Sequence, residues 1–150
     1  MAGIWTNHFF DFLARLSLEN MSNQLFILVA GPYRSNTGDD PARIAQNFHV
    51  MARAALELFK KGHLPVLGES LALPLIEEAG SERVGDAVFD QIFHPVSRML
   101  VPRVDAVLRV GGPSQGADEM LSIARRSGKQ IFEKVSEIPD TAPMEIKEAK

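Results

Sequence analysis

The first sharp feature of the chain is an apolar run, QLFILVAG at residues 24 to 31, that stops at Gly31-Pro32. A run this short, apolar at nearly every position instead of alternating, predicts a strand buried on both faces of a parallel sheet. A helix start follows the loop PYRSNTG: Asp39 or Asp40 is the N-cap and Pro41 the first helical position. Ile44, Phe48, Met51, Ala52, Ala55 and Phe59 then recur at helical spacing, and Lys60, Lys61 and Gly62 supply a cationic last turn and a glycine stop. HLPVLG at 63 to 68 predicts a second strand, and LALPLIEEAG a short helix interrupted or begun at Pro74. Residues 86 to 102 read as helical with a break near Pro95, because proline removes a donor and clashes with the preceding turn. A third strand (105 to 112), a helix ended by Gly128 and a fourth strand (129 to 135) complete the pattern.

Strands alternating with helices predict a doubly wound α/β fold with one parallel sheet covered on both sides. At 150 residues, 45% of them hydrophobic, the chain fits a single domain with its own core. The expected divisions are an N-terminal helix or extension over 1 to 20, the α/β domain over 21 to 138, and a charged, proline-punctuated tail over 139 to 150 that is loose. In the first of these Ile4, Trp5, Phe9, Phe12, Leu13 and Leu16 share one apolar helical face, expected to lie on this or a partner subunit. Asp11 and Arg15 interrupt it, so it does not read as a targeting segment; the alternative is an upstream extension with Met21 as the natural start.

Charge and composition then narrow the partners. A formal charge of −3 gives no basic face for a nucleic-acid backbone, so small molecules or proteins are expected. The absence of cysteine removes thiol nucleophiles and disulfides and suits a reducing cytosol, and the apolar runs are too short to span a bilayer. Histidines at 8, 49, 63 and 94 have no paired-ligand spacing, so no metal is expected, and there is no Walker A or G-x-G-x-x-G sequence.

In a doubly wound sheet, ligands bind at the carboxyl ends of the strands near the switch in strand order, which singles out three loops. In GPYRS, Gly31 allows close backbone approach, Tyr33 offers a hydroxyl and an aromatic face, Arg34 a planar fork for phosphate or carboxylate, and Ser35 a further hydroxyl. In GES, Glu69 is placed to bind sugar hydroxyls, and Ser70 either shares that role or caps the next helix. In GGPSQG, Ser114 and Gly116 open a helix whose free backbone donors attract anions. On that helix Ala117, Met120, Leu121 and Ala124 form the core-facing stripe, and Glu119 points roughly opposite it. Glu119 therefore reads either as an exposed acid favoured by the helix dipole or as a nucleophile delivered to the crevice.

LVAGPYRS, the strand VDAVLRVGGPS and the glycine-serine turn opening a helix together resemble the nucleoside 2-deoxyribosyltransferase-like superfamily, over residues 24 to 133. The resemblance implies a flavodoxin-like or Rossmann-like five-stranded sheet, a nucleoside or nucleotide pocket at the strand ends, no metal or organic cofactor, and a homodimer or higher homo-oligomer. It implies a glutamate nucleophile on the helix after the turn; on this reading Glu119 is the expected nucleophile or general base and Tyr33 is expected to orient it. The glutamate falls four positions after the turn glycine, which from Gly116 is Met120, so Glu119 is one residue short; a second acid expected eight residues before Asp105 is Ser97. N-glycosidic cleavage or transfer is the leading activity, and a non-catalytic nucleotide-binding or regulatory module is the alternative. The GGPSQGADE turn also resembles, more loosely, nucleotide phosphoribohydrolases of the Lonely Guy type.

Overall fold

The computed structural model describes residues 10–15, 17–19 and 23–147. Four parallel strands form one sheet: β1 (Phe26–Ala30), β2 (Leu64–Val66), β3 (Ala106–Arg109) and β4 (Gln130–Phe132), in the order β2-β1-β3-β4. The helices are α1 (Pro41–Lys60), α2 (Gly68–Glu78), α3 (Ala87–Leu100) and α4 (Gln115–Arg126). This is the doubly wound α/β arrangement, with four strands among the described residues where the resemblance implied five. Each strand is shorter than its apolar run, because the flanking residues turn into loops and helix starts.

The side-chain alternation of β1 and β3 divides the core. Ile27, Val29, Ala106 and Leu108 face α1 through Met51 and Leu58, with Ile138 sealing that layer. Leu28, Ala30 and Val107 face the other way, onto Ala117, Met120, Leu121 and Ala124 of α4 and onto Leu100, Val101 and Val104 at the end of α3. Fully burying such a side chain contributes roughly 1.5–3 kcal/mol, so these two layers hold the sheet. The stripe expected on α4 is therefore the buried one. On α1 the buried set is Ile44, Met51 and Leu58. Phe59, expected inward, is 39% exposed, since it lies about 100° around the helix from Leu58 at the last turn.

Two prolines expected to interrupt helices lie inside them: Pro74 within α2 and Pro95 within α3. An interior proline costs about 3 kcal/mol in an isolated helix. Here a third cluster offsets it, because Ala72 and Ile76 of α2 pack on Phe89 and Phe93 of α3. The start of α1 resolves the choice of cap: the Asp40 side chain accepts from the Ala42 amide, whereas Asp39 sits at φ 60° and pairs with Arg34. α2 begins at Gly68 after Leu67, so Ser70 is not its cap.

Residues 10–15 and 17–19 are helical, and Phe12 and Leu13 are exposed on this chain. Ile4, Trp5, Phe9 and Leu16 of the expected apolar face lie outside the described residues. The stretch after Pro139, expected to be loose, is hydrogen-bonded to the end of α1: the Thr141 and Met144 amides donate to the Lys61 and Lys60 carbonyls, each at 2.9 Å. Among the described residues no helix is long and apolar enough to cross a membrane.

Candidate functional site

From β1 the chain moves to β2 on one side and returns to β3 on the other, so the switch in strand order falls between the carboxyl ends of β1 and β3. A cleft of about 360 Å³ opens there. Gly31, Tyr33, Arg34, Ser35, Glu69, Ser114 and Gly116, all singled out from the sequence, line it together. Glu119 is not among the lining residues, and Met120, its neighbour, is.

The floor depends on close backbone approach. A Cβ on Gly31 would stand 2.9 Å from the Val110 carbonyl oxygen and 3.0 Å from Met51, so only glycine lets β1 leave the sheet along this path. The loop after it is tied down by side chains that sequence reasoning missed. Asn47 of α1 donates to the carbonyls of Tyr33 (3.0 Å) and Ser35 (3.3 Å), and the buried Thr37 hydroxyl donates to the Arg34 carbonyl at 2.6 Å. The available signal was a polar residue, Asn47, set inside the apolar stripe between Ile44 and Met51. Ser35 donates to the Ser114 hydroxyl at 3.2 Å, and Ser114 in turn caps α4 by accepting from the Ala117 amide, which joins two of the three loops.

One wall is aromatic. Tyr33 lies tilted against Phe93 with ring centroids 5.2 Å apart, and Phe93 stacks on Phe89 at 4.7 Å. The first turn of α4 also lines the cleft, and a Cβ on Gly116 would stand 3.0 Å from the His94 ring of α3, so glycine there keeps the two helices close without displacing that ring. Arg34, expected to receive a phosphate, has its fork on Asp39, with one of the two bonds at 2.9 Å, and its guanidinium packs on Gly85.

Two carboxylates differ sharply. Glu119 holds a bidentate pair with Arg98 of α3 at 2.8 and 3.2 Å, and the hydrogen bond from that guanidinium keeps its carboxyl below the usual range. Glu69, in the first turn of α2, is only 8% exposed and is the one buried carboxylate among the described residues. Removal from water pushes its carboxyl up to about 7, although its own backbone amide opposes this. Tyr33 feels both effects, since burial first and the Glu69 charge second raise its hydroxyl. No group of three or more metal-ligating side chains forms among the described residues.

The seating of Glu69 depends on the residue before it. A Cβ on Gly68 would stand 2.3 Å from the Ser97 Oγ and 3.4 Å from its Cβ. Gly68→Ala is therefore expected to destabilise by about 1–3 kcal/mol through overpacking between α2 and α3. Removing the hydroxyl with Ser97→Ala in the same chain should recover most of that loss, which urea denaturation of the double-mutant cycle measures. Additive effects would show that the two residues do not share this contact.

The chain matches no known protein-family model and no curated protein.

Proposed function

We propose that the protein binds a nucleoside or nucleotide in this cleft and acts on its N-glycosidic bond. The observation that carries the reading is the meeting of two unlike surfaces in the lining of one cavity. The Tyr33-Phe93 side suits the flat face of a base. The Ser114-Gly116 start of α4 suits an anionic or polyhydroxylated group, because the Gln115 and Gly116 amides stand at the helix N-terminus ahead of the capped Ala117 amide and the helix dipole favours negative charge. In the same lining Glu69 supplies a carboxyl that is 8% exposed. Arg34 would join a phosphate by exchanging Asp39 for it, which an exposed pair allows at little cost.

The reading needs no metal or organic cofactor, and the cysteine-free composition suits a reducing cytosol. The exposed Phe12, Leu13 and Leu18 support a homo-oligomer. A second reading, a binding module without chemistry, is favoured by the engagement of Glu119 with Arg98.

Melting curves against adenosine, guanosine, cytidine, uridine, thymidine and their 5′-monophosphates test the ligand class. A ligand that binds only the native state raises the melting point by mass action, by about 2.7 kcal/mol of stability at a hundredfold excess over Kd. No shift with any of them removes the nucleoside reading. A shift in the wild type that persists in Tyr33→Ala removes the aromatic wall from it.

A further inference from the structure

We propose that Glu69, and not Glu119, is the group that passes a proton to the departing base in this cleft. The inference rests on the nucleoside reading above and specifies its chemistry. A proton donor must line the cavity, be shielded from water and be free of a permanent cationic partner. Glu69 meets all three conditions: it lines the cleft, it is 8% exposed, and among the described residues its carboxyl has no salt bridge and no hydrogen bond to another residue's side chain. Glu119 meets none of them, being outside the lining, 38% exposed at its side chain and clamped by Arg98 through two bonds.

The surroundings fix how Glu69 is presented. It occupies the first turn of α2, and Gly68 before it rests against Ser97 of α3, so the backbone that carries Glu69 is seated on α3. Tyr33 stands close enough for the Glu69 charge to act on its hydroxyl. The other titratable groups sharing the cleft are Arg34 and Asp39 from the β1 loop and Asp90 and His94 from the α3 side; α4 contributes none.

The step balances as a hydrolysis. The C1′–N bond breaks and its electron pair goes to the base nitrogen, which takes the proton of the Glu69 carboxyl. Water adds to C1′ and gives up a proton, which returns to the Glu69 carboxylate. One water is consumed, and a free base and a free sugar leave. A carboxyl near 7 is about half protonated in neutral solution, the condition under which one group both donates and recovers a proton efficiently.

The test uses the full chain and the same nucleosides and monophosphates, with free base measured by chromatography and binding by melting shift. Glu69→Gln is expected to lower base release by at least about a hundredfold while keeping the melting shift, whereas Glu119→Gln stays within about threefold of wild type. Wild-type release should fall as pH rises through about 7, and the residue left in Glu69→Gln should lose that dependence. The kept shift also shows that the variant is folded. Full release by Glu69→Gln, or loss in Glu119→Gln alone, overturns the proposal. A wild type that shifts but releases no base overturns it too and leaves the ligand reading standing, while absence of any shift overturns both.

Discussion

Glu69→Gln is expected to stabilise the protein by about 3 kcal/mol near pH 8 and to change it little near pH 4. The direction follows from which state holds the proton. Below about 4.5 the carboxyl is protonated in both the folded and the unfolded chain, and burying it carries no charge penalty. Between 4.5 and about 7 the unfolded chain releases its proton while the folded protein keeps it, so stability falls as pH rises; above 7 the penalty is at its full size and constant. Glutamine carries no charge at any of these pH values and escapes the penalty. Paired urea titrations of wild type and variant at the two pH values read the effect directly. Equal gains at both would mean that the charge of Glu69 is not what the site strains against. If the gain appears only at high pH, the cleft keeps an ionisable group at the expense of folding, as expected where activity needs it.

How far the sequence carried is clearest at particular residues. β1 and β3 were legible because each buried run is apolar on both faces, the edge strands β2 and β4 because short apolar stretches follow a helix-ending glycine, and the starts of α1 and α4 because Asp40-Pro41 and Ser114 are local signals that act within one turn. The grouping of Gly31, Tyr33, Ser35 and Ser114 at one cleft followed from their place in the loops at the carboxyl ends of the strands. What failed to show were relations between distant segments. Pro74 and Pro95 act locally as breakers, and only the packing of Ala72 and Ile76 on Phe89 and Phe93 keeps their helices whole. The spacing of α4 already turned Glu119 away from the core, but Arg98 as its partner lies on another helix, 21 residues earlier. The burial of Glu69 was equally hidden, since nothing local in a Gly-Glu-Ser loop signals that its carboxyl is removed from water. Asp86 was missed as well: its carboxylate accepts from the Phe89, Glu82 and Arg83 amides and from Ser81, and the backbone bond from Phe89 leads in holding it down to about 2.

His63 is the other residue whose role only the fold reveals, and His63→Ala is expected to lower stability by about 3 kcal/mol, since it leaves the half-buried Leu25 amide without its acceptor, frees the Pro139 carbonyl and opens a cavity in place of the buried ring. The ring is 2% exposed. Its Nδ1 accepts from the Leu25 amide at 3.1 Å, so the proton sits on Nε2, which donates to the Pro139 carbonyl at 2.7 Å. One side chain thereby joins the entry of β1 to the segment after Ile138, itself buried in the α1 layer. A surface ion pair, Lys61 with Asp140 at 2.6 Å, spans the same junction with Asp140 more than half exposed. Exposed pairs contribute about 0–1 kcal/mol, so Lys61→Ala should cost far less than His63→Ala. Hydrogen exchange gives a second readout: in His63→Ala the Thr141 and Met144 amides, bonded to Lys61 and Lys60, should exchange much faster, while those of β1 and β3 keep their protection. Equal losses in the two variants, or unchanged exchange at Thr141, would mean that the strap is held by its surface charges or by Ile138 and not by the buried imidazole.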